Sequence, residues 1–331
     1  MQDYIVCEKS LPQDVSLGID VGSVSINIVA LDRQNRIVSA QYLRGNGQPL
    51  ETVKEGIRNL KKEFGDKLNV MAAGVTGSGR QLTGVMVGAD VVKNEITAHA
   101  KATLSMIPEA RTIFEIGGQD SKIILLRNGM VVDFAMNTVC AAGTGSFLEH
   151  QAERLGVPIE SFGELALKAQ RSVRIAGRCT VFAESDMISK QQYGFSKPEI
   201  INGLCEALVR NYINNLGRGK KLEPPFVFQG GVAANAGIRA AFEKEIGHEV
   251  IIPEYYNVMG AIGSAILARE YVEKDRKRSS FRGIEGIYCD FHPTSFNCDS
   301  CDNCCEVIKV NLNNKTVAMW GDRCGKWTNS L

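Results

Sequence analysis

The stretch that decides the fold is Thr112–Met136, TIFEIGGQDSKIILLRNGMVVDFAM. It reads as a strand with an acidic residue, a glycine turn, a second strand, a tight turn and a third strand. Asn128-Gly129 marks the tight turn, because both central positions of a type I′ hairpin need positive φ. The same order occurs earlier, in Val15–Asp32, VSLGIDVGSVSINIVALD, with RIVSAQYL following as a third strand. Asp20-x-Gly22 aligns with Glu115-x-Gly117. The chain thus reads as an internal duplication: two βββαβα-like halves, each with an acid two residues before a glycine.

Working outward, Pro49–Phe64 has apolar residues at Leu50, Val53, Ile57, Leu60 and Phe64, the spacing of an amphipathic helix. Asn69–Gly79, NVMAAGVTGSG, reads as a buried strand running into a glycine loop, and Gly88–Ile107 as one long helix. Pro224–Glu243, PPFVFQGGVAANAGIRAAFE, predicts a strand, a glycine turn and a helix. Val250–Glu270 adds a strand and a final helix with small residues on one face. The expected organisation is a first half over 1–98, with the helix 258–272 packing back on it, and a second half over 99–257. A basic linker over 273–286 and a cysteine-rich tail over 287–331 follow.

With 331 residues, 44% hydrophobic and 23% charged, the chain can build two ordinary domain cores. Lys+Arg is 38 and Asp+Glu is 37, a net charge of +1 that points to neither nucleic acid nor a membrane surface. No run of 18 apolar residues occurs. The N-terminal MQDYIVCEKSLPQD lacks the apolar core of a secretory signal. A cytoplasmic setting follows as an expectation, and with it reduced thiols or metal ligands for the ten cysteines.

Three glycine turns follow strands: at Gly22-Ser23, at Gly117-Gly118-Gln119 and at Gly230-Gly231. Backbone without side chains can approach a phosphate and point N–H groups at it. The acids Asp20 and Glu115 cannot bind phosphate directly, but they can hold Mg²⁺ through water and orient an attacking water. This arrangement resembles the actin, sugar kinase and Hsp70 superfamily. The resemblance implies an α/β fold of two ribonuclease H-like halves closing on ATP or ADP. Asp20, Gly22 and Ser23 would form one phosphate turn, Glu115, Gly117, Gly118 and Gln119 the other, and Gly230 with Gly231 the adenosine turn.

A cysteine then stands where a sugar kinase would need its catalytic Asp. In Asn137–Gly156, NTVCAAGTGSFLEHQAERLG, Ser146 and Glu149 read as a capping box, so Cys140 lies just outside a helix N-terminus. Positive potential there favours a thiolate. The design recurs in GRCTVFAESDMISK, where Cys179 precedes Thr180, the expected cap of the next helix. Two such cysteines could face one anionic object, such as an iron–sulfur cluster. Gly143, Thr144 and Gly145 either contact the nucleotide or only shape the turn. Asp120 either assists phosphate chemistry or caps its turn. Glu95 and His99, at i and i+4, read as metal ligands or as a surface or hinge hydrogen bond. Cys205 reads as core, and Cys7 is assigned no role.

NEITAHAKA, IGGQDSK, NTVCAAGTGSFLE, GRCTVFAESD and FQGGVAANAGI together resemble the ATPase activators of 2-hydroxyacyl-CoA dehydratases. That family includes the ATPase subunits of benzoyl-CoA reductase and the ATP-dependent reductases of double-cubane cluster proteins. The resemblance, over residues 15–272, implies a homodimer with one [4Fe–4S] cluster at its interface, held by Cys140 and Cys179 of each chain. It implies ATP-driven delivery of a low-potential electron to a partner iron–sulfur protein, a ferredoxin or flavodoxin donor, and an anaerobic organism. Glu115 departs from the family's usual Asp, and its extra methylene should move the carboxylate by about 1.5 Å. The rivals are a small-molecule kinase of the same superfamily and a nucleotide-dependent redox sensor.

Six of the ten cysteines follow residue 285. Cys298-x-x-Cys301, Cys304-Cys305 and Cys324 read as a metal knuckle, with Cys298, Cys301, Cys305 and Cys324 as the chosen Zn²⁺ ligands. A second iron–sulfur cluster and free thiols are the alternatives. So short a segment is expected to need a metal in place of a core.

Overall fold

The computed structural model describes residues 4–5, 13–137, 140–276, 278–286, 289, 291–313 and 315–328. Cys7, and Thr138 and Val139 of the NTVC stretch, lie outside them. The chain forms two compact units: Met1–Gly22, Ile26–Asn94 and Ser264–Leu331 make one, and Ser23–Ser25 with Glu95–Gly263 make the other. Among the described residues, no helix is long and apolar enough to cross a membrane.

The first unit is built on β1 (Tyr4–Ile5), β2 (Gln13–Val21), β3 (Ser25–Leu31), β4 (Ile37–Arg44), β5 (Leu68–Thr76) and β6 (Val91–Val92), in the order β1-β4-β3-β2-β5-β6. β2 and β3 are antiparallel, and β5 runs parallel to β2 with Asp20 opposite Thr76. Helix α1 (Pro49–Phe64) buries Val53, Ile57, Leu60 and Phe64 in the core made with Val15, Leu17, Ile19, Ile26 and Ile28. α2 (Arg80–Val87) follows the glycine loop.

Gly88–Ile107 is not one helix. Val91 and Val92, β-branched and suited to a pleated surface, pair with Gly74 and Val75 of β5. Helix α3 (Glu95–Met106) begins only after them.

The second unit repeats the plan. β7 (Thr112–Ile116), β8 (Ser121–Arg127) and β9 (Met130–Asn137) form an antiparallel meander, α4 (Gly145–Leu155), α5 (Ile159–Leu167), α6 (Thr180–Gln192) and α7 (Lys197–Leu216) follow, and β10 (Phe226–Gln229) runs parallel to β7. α8 (Ala236–Ile246) and β11 (Val250–Ile251) complete a sheet ordered β11-β10-β7-β8-β9. Asn128 and Gly129 both have positive φ, as the hairpin requires. Glu115 lies opposite Gln229, just as Asp20 lies opposite Thr76. The duplication therefore holds in strand order and register. α9 (Met259–Asp275) starts in the second unit and continues into the first.

Two helix starts differ from expectation. α4 has Thr144 at its N-cap with no side-chain cap bond, and Ser146 Oγ instead donates to the carbonyl of Gly118. At α6 the N-cap is Cys179 itself, and Thr180 is already the first helical residue. A complete capping box occurs at α7, from Ser196 and Glu199.

After α10 (Gly283–Gly286), the tail folds as an antiparallel sheet of β12 (Phe291–Asn297), β13 (Glu306–Leu312) and β14 (Lys315–Trp320). It has a small core after all: Val307 and Val310 are fully buried, and Phe296 meets Trp327 edge-on with centroids 5.1 Å apart. Arg282 N–H donates to the carbonyl of Val87, and Phe281 and Phe291 pack on the first unit's core.

The second unit's core centres on Phe114, stacked on Phe242 at 4.8 Å and Phe226 at 5.5 Å and edge-on to Tyr212 at 5.8 Å. Phe114→Ala should lower unfolding stability by about 3–5 kcal/mol, read as a drop in urea midpoint.

Candidate functional site

β2 ends at Val21, and the loop after β5 folds over its end. Gly79 N–H and Ser78 Oγ both donate to the carbonyl of Val21. Gly77 has φ +92°, and a Cβ on it would lie 2.6 Å from Asp20 Oδ1. Thr76 Oγ1 is buried beside this turn without a hydrogen-bond partner among the described residues. The first unit thus offers Asp20, Gly22 and the Gly77–Gly79 loop together. Sequence reasoning named only the first two. The signal for the third was its glycine pair directly after a buried strand.

In the second unit, Gly117 N–H closes the β7–β8 turn on the carbonyl of Asp120. The N–H groups of Gly118 and Gln119 take no carbonyl among the described residues. Gly230 adopts φ +90°, and a Cβ there would strike the Ile116 carbonyl at 2.4 Å and Glu115 Oε1 at 2.8 Å. The Glu115 turn and the Gly230-Gly231 turn are therefore neighbours. Asn235 caps α8 by accepting from Ile238 N–H.

Glu115 is only 4% exposed. It is held by a residue that sequence reasoning missed. Lys122, on β8, puts its ammonium 2.9 Å from Glu115, 2.9 Å from Asp120 and 2.8 Å from Glu95. Burial pushes the Glu115 carboxyl up to about 8, against the pull of Lys122. The three carboxylates outweigh burial at Lys122 and hold its ammonium charged. Glu95 and His99 do not converge as a metal pair: Glu95 binds Lys122, and His99 is buried against Gln229 at 2.9 Å. Burial, then Lys122, drop His99 to about 3, so its ring is neutral at physiological pH. Cys205 is fully buried, its thiol pushed up to about 12 by burial.

Cys140 and Cys179 are both half-buried, and each stands at an N-cap, Cys140 before the 3-10 turn at 141–143 and Cys179 before α6. Asn137 clamps the first loop, accepting from Cys140 N–H at 2.9 Å and donating to the Cys140 carbonyl at 2.7 Å. The segment before Cys179 is pinned at three points. Arg210 donates to the Ile175 carbonyl, Ala176 N–H donates to Asp186, and Asn211 donates to the Gly177 carbonyl. Asn211 Oδ1 also packs against Gly143, where a Cβ would be 3.1 Å away. One buried asparagine on α7 therefore touches both cysteine loops. Arg154 of α4 pairs with Glu184 of α6, tying together the two helices that follow the cysteines.

Past Gly143 and Thr144, the chain from Cys140 is tied to the Gly117-Gly118 turn. Gly145 N–H donates to the Gly117 carbonyl at 2.9 Å and Ser146 N–H to that of Gly118 at 2.8 Å.

In the tail, Cys298 is buried and accepts from Trp327 Nε1 at 3.3 Å, Cys305 is half-buried, and Cys301, Cys304 and Cys324 are exposed. Among the described residues no three His, Cys, Asp or Glu side chains converge as a metal cage, in the tail or elsewhere.

Lys122→Met should cost on the order of 3–5 kcal/mol near neutral pH, because it removes the ammonium that Glu95 and Asp120 share beside the buried Glu115 carboxyl. In the folded protein Glu115 keeps its proton to higher pH than in the unfolded chain, so its burial costs nothing in acid, costs progressively more as pH rises from 4.5 to about 8 and keeps its full cost above that. Lys122 offsets that cost, so the variant's deficit against wild type should be larger at pH 8 than at pH 5 in urea unfolding. Equal deficits would reject this account.

Residues 17–268 match the model of the BadF/BadG/BcrA/BcrD ATPase family. The chain is 35% identical over 266 residues to the (R)-2-hydroxyglutaryl-CoA dehydratase activating ATPase of Acidaminococcus fermentans, covering 78% of this chain and 98% of that one. The crystal structure of that dehydratase's component A superimposes with a TM-score of 0.71 at 33% identity, over 80% of this chain and 99% of its own. The activator of the 2-hydroxyisocaproyl-CoA dehydratase from Clostridium difficile, solved with bound ADPNP, gives 0.68 at 32% identity, over 79% and 97%. A ROK family glucokinase from Streptomyces griseus, at 14% identity and a TM-score of 0.50 over 77% of this chain and 99% of its own, shares the fold alone. Residues after 268, the cysteine-rich tail among them, lie outside the family match. With its duplicated acid-and-glycine turns set in this actin-like α/β fold, the chain belongs to the BadF/BadG/BcrA/BcrD ATPase family.

Proposed function

We propose that this chain is an ATP-hydrolysing activator that delivers low-potential electrons to a partner iron–sulfur protein. The partner is of the 2-hydroxyacyl-CoA dehydratase, benzoyl-CoA reductase or double-cubane kind, and the donor is reduced ferredoxin or flavodoxin. The observation that carries this reading is that Gly145 and Ser146, which open the helix following the Cys140 loop, hydrogen-bond directly to the Gly117-Gly118 turn. A kinase needs no thiol so attached to its phosphate turn.

In this reading ATP and Mg²⁺ are held by Asp20, Gly22 and Ser23 of one turn and by Gly117, Gly118 and Gln119 of the other, with Gly230 and Gly231 at the adenosine. Asp20 would hold Mg²⁺ through water and orient an attacking water. Glu115, buried on Lys122, keeps the second turn closed, and the partly exposed Asp120 is the more open carboxylate there. Only interactions that differ between nucleotide states can shift a conformational equilibrium. The Gly117 and Gly118 carbonyls supply such a difference, because a phosphate on the turn's N–H groups reorients the same peptides that hold α4.

Cys140 and Cys179 fit a [4Fe–4S] cluster by donor chemistry. Both are half-buried thiols, Cys140 before a 3-10 turn and Cys179 at the N-cap of α6, and thiols are the ligands such a cluster takes. A cluster takes four such ligands, and the second pair would come from a second copy in a homodimer. When bound, the cluster supplies one-electron redox chemistry. Asn137, Asn211 and Asp186 hold the loops that present the thiols. The tail cysteines do not form a cage as they stand, so zinc binding there would require Cys298, Cys301, Cys305 and Cys324 to draw together.

Asp20→Ala should lose Mg²⁺-dependent ATP hydrolysis while iron content persists, measured by phosphate release and iron assay. Cys140→Ser or Cys179→Ser should abolish the brown colour and weaken the dimer, with ATP binding intact. Anaerobic wild type should carry about four irons per two chains, and four irons in each monomer would reject the shared site. Metal analysis of the Cys140→Ser, Cys179→Ser double variant should find about one zinc per chain in the tail. Iron there would instead support a second cluster.

A further inference from the structure

Asp20 stands in the middle of a row. It lies opposite Asn27 of β3 on one side and opposite Thr76 of β5 on the other. Side chains directly opposite across strands share a face of the sheet, and neighbours along a strand alternate between faces. Ile19, Val21, Ile26, Ile28 and Val75 pack in the first unit's core. Asn27, Asp20 and Thr76 therefore share the other face. Two residues back on that face, Gly18 lies opposite Gly74, and a Cβ on Gly74 would come within 2.1 Å of the Ser264 carbonyl of α9. The helix thus lies directly on the sheet there, and the row stands beside it.

Both flanking residues are buried, Asn27 to 7% exposure and Thr76 to 0%. Asn27 Oδ1 and Thr76 Oγ1 are each without a hydrogen-bond partner among the described residues. An unpaired buried oxygen costs stability, and most buried polar atoms in folded proteins are paired. Leucine and valine would fill the same two volumes without that cost. Two such oxygens, in register on either side of one carboxylate, therefore serve something other than the fold. Gly77 closes the β5 side of the row, because a Cβ on it would lie 2.6 Å from Asp20 Oδ1.

The three side chains have a common chemistry. An amide oxygen, a carboxylate and a hydroxyl all accept hydrogen bonds. A phosphate oxygen is itself an acceptor and would meet the Asp20 charge, so an anion does not fit. Mg²⁺ keeps several of its waters when protein binds it, and those waters donate. Neighbouring strands lie about 4.8 Å apart, wider than the roughly 3 Å between adjacent direct ligands of an octahedral Mg²⁺. The row matches acceptors for metal-bound water better than it matches a direct cage.

We propose that Asn27 and Thr76 are positioning residues for the nucleotide's divalent cation, accepting hydrogen bonds from its waters on either side of Asp20. The proposal rests on the assignment of Asp20 to Mg²⁺ above and extends it to two residues that carry no charge.

Thr76→Val and Asn27→Leu keep the volumes and remove the oxygens. Binding of the fluorescent nucleotide mant-ADP to the anaerobically prepared full chain is titrated in Mg²⁺ and in EDTA, and thermal unfolding is recorded without nucleotide. Wild type should bind more tightly in Mg²⁺. Each variant should keep its affinity in EDTA and lose about fivefold in Mg²⁺, the worth of one hydrogen bond. Thr76→Ser, which keeps the hydroxyl, should bind as wild type does. Without nucleotide neither variant should melt below wild type, since an oxygen with no partner holds nothing in the fold. An unchanged Mg²⁺ dependence in either variant would overturn the assignment of that residue and leave its oxygen to ordered water only. A lowered melting temperature with equal losses in Mg²⁺ and EDTA would also overturn it, as the mark of a structural role. Asp20→Ala is measured alongside. If it keeps the Mg²⁺ dependence, the assignment of Asp20 itself fails. If it loses that dependence while Thr76→Val and Asn27→Leu keep it, only the roles of Asn27 and Thr76 fail.

Discussion

The structure of the second unit depends on one buried ammonium. Lys122 stands among Glu95, Glu115 and Asp120, each within 2.9 Å. Glu115 is buried and Glu95 nearly so, and leaving such acids without a counter-ion would be costly. With Lys122 between them they join the start of α3, the end of β7 and the β7–β8 turn. The cluster also explains why a glutamate can occupy position 115. Its longer side chain reaches the ammonium, and a Cβ at Gly230 would fall 2.8 Å from its Oε1, so the neighbouring turn is shaped around it. His99, kept neutral by burial and by Lys122, adds no second positive charge.

From this cluster two routes of hydrogen bonds lead to the cysteines. One runs through the turn itself, from the Gly117 and Gly118 carbonyls into the first N–H groups of α4, five and six residues beyond Cys140. The other runs through α7. Tyr212 is fully buried and donates its hydroxyl to the carbonyl of Lys122, while its neighbour Asn211 donates to the Gly177 carbonyl, two residues before Cys179. Adjacent residues of one 20-residue helix thus touch the ion cluster and a cysteine loop. A rigid helix can carry coupling because it moves as a body, whereas separate loops would relax independently.

The candidate site was partly legible in sequence for reasons that differ residue by residue. Gly22, Gly117 and Gly230 announced themselves because a turn after a strand leaves few residue choices. Cys140 and Cys179 stood out as thiols beside helix starts, although the caps proposed for those helices were wrong. Ser146 has a better acceptor in Gly118 than in its own helix, and Cys179 takes the cap position itself. Lys122, Asn137 and Asn211 carried no such signal. A lysine in a strand and asparagines near a turn or in a helix read as surface residues until the partners that bury or engage them are known. The long helix expected over Gly88–Ile107 failed for a similar reason, since Val91 and Val92 become a strand only where β5 offers them an edge.

By itself the sequence determined the duplicated strand–acid–glycine–strand pattern, the Asn128-Gly129 hairpin, the amphipathic helix at Pro49–Phe64 and the buried place of Cys205. These are local: each follows from backbone sterics or from apolar spacing within a few residues. The tertiary structure alone decided which turns became neighbours, that Glu115 is buried on Lys122, that one asparagine serves both cysteine loops, and that the tail closes on Val307, Val310 and Trp327. Each of these depends on partners tens of residues away in the chain. Burial and charge pairing, unlike turn chemistry, exist only once those partners meet.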